Sequence, residues 1–304
     1  MSKLSTMKSK KRVRTGTNDK IFYTICYVII ALLSIAVLYP IIYVVSASMS
    51  SANALTAGKV WFLPVDFSLE GYKAVLKYKN IYIGYRNTIF YTVVGTLINV
   101  SMTMICAYPM SRKNLFARGP IMFLFSFTML FGGGMVPNYL LMKKLHFINT
   151  IWVMLIPGCM SVYNMIVART FIQTNIPGEL LESAQLDGCN DTVYFFKMVL
   201  PLSKAILAVL TLWYAVGHWN SYFKAFIYLT DKNLYPLQIF LRDILISSQI
   251  SADLNDPEIA EQLRTIQMTL KYAMIIVSTV PLYVFYPFAQ KYFAKGVMVG
   301  SVKG

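Results

Sequence analysis

The sequence predicts an all-α integral membrane protein with six transmembrane helices and a cytoplasmic helix-turn-helix segment. Of the 304 residues, 57% are apolar and 13% are charged, and the mean hydropathy is +0.55. Soluble domains carry about 25% charged residues. The apolar residues form runs of roughly 20 residues, the length that a helix needs to cross the hydrocarbon core. An acidic, helix-forming segment, residues 176–201, separates the fourth run from the fifth.

Six apolar runs predict the spans, and together they make residues 21–304 one transmembrane domain behind a basic tail, residues 1–20. The third and fourth runs contain Gly132–Gly134, Pro137 and the Pro157-Gly158 pair. Such breaks are tolerated where protein or a water-filled cavity satisfies the freed backbone. The predicted spans cover residues 21–45, 88–109, 120–142, 150–170, 203–229 and 272–290.

The distribution of the positive charge predicts the orientation. Net charge is +15, and seven of the 28 basic residues precede the first run. With the N-terminus inside, inner segments hold sixteen basic residues and outer segments eleven. The positive-inside rule therefore places both termini in the cytoplasm of a multi-pass cell-membrane protein in contact with lipid. Nucleic acid is excluded as a partner, because no aromatic-interleaved basic groove accompanies the charge.

Cysteine and histidine usage argues against a metal site. The four cysteines have no paired spacing, and His146 and His218 are the two histidines of the chain. A disulfide framework, a metal centre and a bound cofactor are therefore not expected.

Residues 176–201 read locally as a short helix, a turn and a second helix. Pro177 suits a first helical turn, Glu179 suits its positive end, and Gly188 can supply a left-handed C-terminal cap. Asp191 or Thr192 is expected to cap the second helix, and Pro201 is expected to separate it from the fifth span.

The first of these helices is predicted to be amphipathic. Leu180, Leu181 and Ala184 share one stripe, opposite an acidic face that contains Glu179 and Glu182. A large side chain at Ala184 is expected to hold a partner away. The alternative, a helix lying on lipid, is disfavoured because anionic headgroups repel this acidic segment. A protein socket is the preferred interpretation.

The spacing within this segment resembles the EAA loop of binding-protein-dependent ABC importer permeases. That signature reads E-A-A, three residues, G, nine residues and I-x-L-P. Here it is Glu182-Ser-Ala-Gln-Leu-Asp-Gly188, nine residues and Met198-Val-Leu-Pro201. Ser183 and Met198 depart mildly from it. Other marks resemble the carbohydrate branch, the maltose-type inner permeases and their oligosaccharide subgroup: Ala107–Arg112, Pro137–Leu140, Asn149-Thr150, Trp219-Asn220, Trp61–Tyr72 and Gly132–Met135.

The resemblance implies a permease subunit of an ATP-driven importer for carbohydrates, oligosaccharides in particular. Its implied partners are a second permease subunit in a heterodimer, two cytoplasmic ATPase subunits and an extracellular sugar-binding protein. The chain has no G-x-x-x-x-G-K-[ST] phosphate loop, so ATP-Mg²⁺ belongs to the partners and this chain is not an enzyme. The implied ATPase-coupling residues are Glu182, Ser183, Ala184, Asp187, Gly188, Leu200 and Pro201.

Aromatic and polar side chains of the fifth run are candidates for a sugar path. Sugars stack their C–H faces on aromatic rings and bond polar groups, and polar side chains in hydrocarbon face the interior. An aromatic belt, or a His218 bond to a neighbouring helix, would explain the same residues. The path candidates are Trp213, His218, Trp219, Asn220 and Tyr222, with Asn138 and Tyr139 from the third run.

Two further interpretations stay open. An ion-coupled secondary transporter of a small polar solute is the alternative function, but no acidic residue falls within the six runs. An intramembrane enzyme would need a nucleophile with a base or a metal cluster. The segment 230–271 carries six acidic residues and reads either as a solvated loop or as a docking surface for an extracellular partner.

Overall fold

The computed structural model describes residues 16–250 and 257–297, and the side chains of 16–246 and 267–287. Apart from one isolated bridge, the regular structure of these residues is helical. The helices are α1 (Thr17–Ser48), α2 (Ala52–Thr56), α3 (Glu70–Lys77), α4 (Lys79–Ser111), α5 (Arg118–Leu130), α6 (Met135–Lys144), α7 (Trp152–Leu155), α8 (Val162–Asn175), α9 (Gly178–Leu186), α10 (Asp191–Tyr194), α11 (Leu200–Leu202), α12 (Lys204–Trp219), α13 (Phe223–Tyr228), α14 (Leu237–Ile250) and α15 (Pro257–Val297).

Three of the described helices are long and apolar enough to cross a bilayer: α1, α4 and the part of α15 at Gln267–Pro287. Two bent pairs qualify if each counts as one span. The axes of α5 and α6 meet at 112°, and the helix over Asp191–Leu202 meets α12 at 80°. The fold class is therefore as predicted, while the count of six spans stays a prediction.

The fourth predicted run is not one helix. It divides into α7, four residues long, and α8, fourteen residues long, with irregular backbone at 156–161. Pro157 and Gly158 lie in this break, and Gly158 has a φ of +75°. At 1.5 Å per residue, α8 covers about 21 Å, less than the hydrocarbon core. The break falls where the sequence places its helix-breaking residues.

Helix α4 is the central helix of the bundle. It packs against α8, α12 and α14. Small or polar residues of α4 allow these close approaches, namely Gly84, Thr88, Gly95, Asn99 and Thr103. One apolar cluster joins the C-terminal half of α4 to α8 and to the segment from α10 through α12. A second cluster joins α4 to α6, α7 and α13.

The two long connections differ from simple loops. Residues 46–86 form α2 and α3, with an antiparallel bridge from Ser50 to Phe67. Gly71 of α3 lies so near α15 that a Cβ there would be 2.7 Å from the Thr269 carbonyl oxygen. Residues 230–271 are not a simple solvated loop, because α14 lies within them and buries Leu237 and Phe240 against α4 and α15. The alternative of a docking surface for an extracellular partner stays a prediction. The side chains of Asp253, Asp256, Glu258 and Glu261 lie outside the described ones.

Candidate coupling segment and transport path

Helix α9 ends in a complete Schellman cap at Gly188. The residue has a φ of +75°, which is left-handed and unfavourable for residues with a Cβ. The Gly188 N–H donates to the Gln185 carbonyl at 3.1 Å, and the Cys189 N–H donates to the Ala184 carbonyl at 2.8 Å. These two bonds satisfy carbonyls that the helix end would leave free. The predicted left-handed cap is confirmed.

The burial of α9 follows the predicted stripe. Leu180, Leu181 and Ala184 are partly buried against the apolar cluster of α4, α8 and α12, whereas the face with Glu182 and Ser183 is exposed. Ala184 therefore points towards the chain's own core. A large side chain there would first push α9 off that core, which differs from the expectation that it would meet a partner.

The second helix of the segment begins one residue earlier than expected. Asn190 is its cap, and the Asn190 side-chain oxygen accepts a hydrogen bond from the Val193 N–H at 2.8 Å. The expectation of Asp191 or Thr192 as the cap is wrong. The helix then widens to a π-turn over Phe195–Val199 and includes Leu200 and Pro201 in α11. The chain bends at Ser203, two residues after the expected proline.

The coupling segment is tied to the C-terminal end of α4. The Tyr108 hydroxyl donates to Asp191 Oδ1 at 3.0 Å, and the Arg112 guanidinium lies 3.8 Å from the same oxygen. Arg112 also lies over the Tyr108 ring, 5.7 Å from its centroid. The phenol–carboxylate–guanidinium contact joins the first turn of α10 to the C-terminal end of α4.

Helix α8 holds the same end of α4 from the other side. Arg169 Nε donates to the Met110 carbonyl at 3.0 Å, and Gln173 Nε2 donates to the Ser111 carbonyl at 3.0 Å. These side chains satisfy carbonyls at the helix terminus, and the Arg169 charge suits its negative end. Cavities of about 600 and 560 Å³ lie on the two sides of Tyr108 and Arg112. Polar bonds thus hold this end of α4 at a few points, with open space beside them.

The exposed side of the segment is acidic. Glu179, Glu182 and Asp187 are exposed, and none makes an ion pair with any side chain that the structure describes. Asp191 is the exception, because Arg112 and Tyr108 engage it. The carboxylates of α9 are thus free to meet basic groups of another protein.

His218 closes a polar contact between α12 and α4. Its Nε2 lies 2.8 Å from Asn99 Oδ1, and Asn99 Nδ2 donates to the Gly158 carbonyl at 3.0 Å. The ring lies directly on α4 at Gly95, where a Cβ would be 2.5 Å from it. This geometry agrees with the interpretation that His218 bonds a neighbouring helix. His218 and Asn99 together stabilise the break in the fourth run.

Lys224 is a basic residue within the fifth apolar run. It lies in α13, partly buried, and its Nζ donates to the Pro157 carbonyl at 2.8 Å. A lysine within an apolar run is costly and is therefore a signal for function. That signal was present in the sequence, but its partner lies 67 residues away and is visible only in the fold.

The two tryptophans of the fifth run face different surroundings. Trp219 is 5% exposed, and its Nε1–H donates to the Ser278 carbonyl of α15 at 3.0 Å. Its ring edge also meets Tyr85. Trp219 therefore joins helices in this conformation. Trp213 is partly exposed and lies 6.0 Å from the ring of Tyr163.

The remaining path candidates are exposed. Asn220 donates to the Val216 carbonyl of its own helix at 2.9 Å, and Tyr222 is 41% exposed. Asn138 and Tyr139 lie on α6, where Tyr139 stacks on Tyr228 of α13 with 5.9 Å between centroids and 11° between planes. Tyr139 thus contacts α13, whereas Trp213 contacts α8, so these two path candidates face different helices.

Comparison with known proteins connects this fold and segment to a class. The chain matches no family model. It is 39% identical over 94% of its length to the polygalacturonan/rhamnogalacturonan transport system permease protein YtcP of Bacillus subtilis, covering 99% of that protein. It is 37% identical over 87% of its length to protein LplC of the same organism, covering 89% of it.

A solved structure agrees with these relatives. A bacterial ABC transporter involved in the import of the acidic polysaccharide alginate contains a chain that superposes with a TM-score of 0.83 at 34% identity, over 93% of this chain and 100% of that one. The class that the fold defines is the permease of ABC importers. The chain belongs to the family of permease subunits of ABC transport systems for sugars and oligosaccharides. These findings favour the importer over the ion-coupled transporter.

Proposed function

We propose that residues 176–201 are the element through which a cytoplasmic ATPase drives this permease. The observation that carries the proposal is the exposed acidic face of α9, whose Glu179, Glu182 and Asp187 have no ion pair within the described side chains. Anionic lipid would repel such a face, whereas a basic cleft in a protein would bind it. The apolar stripe and the cap at Gly188 fix α9 to the core of the permease, so that a displacement of α9 by the ATPase is passed to the other helices.

The assembly consists of this chain, a second and different permease, two ATPase subunits and an extracellular binding protein. ATP-Mg²⁺ is bound and hydrolysed by the ATPases, since this chain lacks a phosphate loop. Closure of the ATPases moves α9. The tie between Tyr108 and Asp191 passes that movement to α4, and the continuous path through α11 passes it to α12. Both termini lie in the cytoplasm, as the basic residue counts favour.

The cargo is an acidic oligosaccharide. Two of the similar proteins, at 39% and 34% identity, are named for polygalacturonan with rhamnogalacturonan and for the import of the acidic polysaccharide alginate. The chain's own charge agrees, because residues 46–86, placed outside, hold five basic residues and two acidic ones. Positive charge outside runs against the usual bias and attracts anionic solutes.

The test is reconstitution of the whole complex in proteoliposomes. Uptake of trigalacturonate is expected to require ATP on the ATPase side. Gly188→Trp is expected to abolish both co-purification with the ATPase and uptake, since it fills the tip of the coupling segment. Leu63→Trp, an exposed position of residues 46–86, serves as the matched control. Intact ATPase binding in Gly188→Trp would show that the docking element lies elsewhere.

A further inference from the structure

Two irregular stretches of backbone meet inside the bundle. One is the break at 156–161 between α7 and α8, and the other is the break at 220–222 between α12 and α13. Lys224, just after the second break, bonds Pro157 in the first. Irregular backbone at membrane depth is tolerated where it is buried in protein or lines a water-filled cavity, and transporters place cargo sites at such breaks.

The positive charge of Lys224 exceeds what the break requires. A neutral donor is enough for a carbonyl, as Asn99 demonstrates one residue further along at Gly158. The Pro157 carbonyl uses one of the three N–H donors of the ammonium group. Within the described side chains, no carboxylate lies within 4 Å of Lys224. A partly buried ammonium without a counter-ion among the described side chains is costly, so its charge points to an anion that arrives from outside the chain.

Aromatic rings lie one helical turn from this charge. Tyr228 is four residues after Lys224 on α13, a spacing that places both on one face of the helix. Tyr228 stacks on Tyr139 of α6, and Tyr139 remains 37% exposed. An exposed ring face suits the C–H face of a sugar, and the neighbouring ammonium suits a carboxylate on that sugar.

We propose that Lys224 binds the carboxylate of a uronic acid residue as the oligosaccharide passes, exchanging the Pro157 carbonyl for the anion. This inference rests on the proposed import of acidic oligosaccharides and names the residue that selects them. Tyr139 supplies the adjoining ring face. The substrate class is an oligosaccharide whose sugar residues carry carboxylates, and a neutral sugar of the same size lacks the group that Lys224 recognises.

The test compares two trisaccharides in the reconstituted complex: trigalacturonate and its carboxyl-reduced, neutral counterpart. Uptake of each at sub-saturating concentration gives an acid-to-neutral ratio. A charge-assisted hydrogen bond supports a preference of about tenfold. Lys224→Gln, which keeps a donor for Pro157, is expected to lower the ratio by about tenfold, and Lys224→Arg to retain most of it. Lys232→Gln removes an exposed lysine eight residues away and is the matched control.

The outcomes separate the inference from the function it rests on. If wild-type complex takes up neither trisaccharide, the proposed cargo is wrong. If wild type imports both equally well, or if Lys224→Gln keeps the wild-type ratio, Lys224 does not select the cargo. If Lys224→Gln fails to assemble while Lys232→Gln assembles, the charge is needed for the fold, and the inference is again overturned.

Discussion

The Tyr108 hydroxyl donates a hydrogen bond to Asp191 Oδ1 at 3.0 Å, joining the C-terminal end of α4 to the first turn of α10. Asp191 is otherwise well exposed, so Tyr108 and Arg112 determine where its carboxylate lies. This contact is a direct polar link between the coupling segment and the helix at the centre of the bundle. The proposed coupling therefore predicts that weakening this bond weakens the connection between the coupling segment and α4.

Tyr108→Phe is expected to loosen coupling. The substitution removes the hydroxyl and keeps the ring over which Arg112 lies, at a cost of about 1 kcal/mol. The number of sugar molecules imported per ATP hydrolysed should fall in proteoliposomes. Tyr163→Phe is the control, because the Tyr163 hydroxyl makes no hydrogen bond within the described residues. An unchanged ratio in Tyr108→Phe would mean that the Tyr108–Asp191 bond does not contribute to coupling.

Gly188→Ala is expected to weaken the coupling segment through the backbone alone. A Cβ at Gly188 would meet no atom of the described residues within 4 Å, but the φ of +75° makes alanine unfavourable there by about 1 kcal/mol. Hydrogen exchange of the backbone amides at positions 188 and 189 should become faster than in the wild-type protein. Gly188→Asn should be milder, since asparagine tolerates this conformation.

Gly178→Ala is the matched control for that substitution. Gly178 also has open space at its Cβ, and its φ is not positive. It lies at the other end of α9, so a cap effect at Gly188 should not appear there. Equal exchange rates in Gly188→Ala and Gly178→Ala would contradict the role of the left-handed cap.

Gly95→Ala is expected to destabilise the protein because of His218. The new Cβ would lie 2.5 Å from the imidazole, and overpacking of this kind costs about 2 kcal/mol. The melting temperature in detergent should fall in the wild-type background. In a His218→Ala background the same substitution should cost little, since the ring is gone. An equal cost in both backgrounds would contradict the packing described.

Trp219→Phe separates a structural role from a sugar platform. The substitution removes the Nε1–H bond to the Ser278 carbonyl, which contributes about 1 kcal/mol. Thermal stability is expected to fall while the apparent KM for trigalacturonate stays unchanged. Trp152→Phe, at a position that is 50% exposed, provides the control for stability. A raised KM for trigalacturonate without a loss of thermal stability would indicate that Trp219 contacts the sugar.

The sequence predicted what depends on neighbours along the chain. The left-handed Gly188, the stripe of Leu180, Leu181 and Ala184, and the break near Pro157 all follow from local backbone and period rules. These local rules did not decide between neighbouring residues that could each cap a helix. Asn190 caps α10, whereas the neighbouring Asp191 carboxylate accepts a hydrogen bond from Tyr108, 83 residues away.

Long-range contacts explain the other differences. The acidic composition of residues 230–271 suggested a loop, but Leu237 and Phe240 gain enough burial against α4 and α15 to make α14 a packed helix. Trp219 was a candidate for the sugar path, but its indole N–H donates to the Ser278 carbonyl in a buried contact that the sequence does not indicate. The sequence identifies Lys224 as a charge within an apolar run. Its hydrogen-bond partner, the Pro157 carbonyl, is known only from the place where the fourth run breaks in the fold.

The central claim, that α9 is the contact with the ATPase, is tested most directly by photo-crosslinking. The photoreactive residue p-benzoylphenylalanine replaces Ser183, which is exposed on the acidic face of α9, and Leu63 carries it as the control. In the assembled complex, Ser183 is expected to crosslink to the ATPase subunit and Leu63 is not. Crosslinking of Ser183 to lipid alone, with none to the ATPase, would contradict the account.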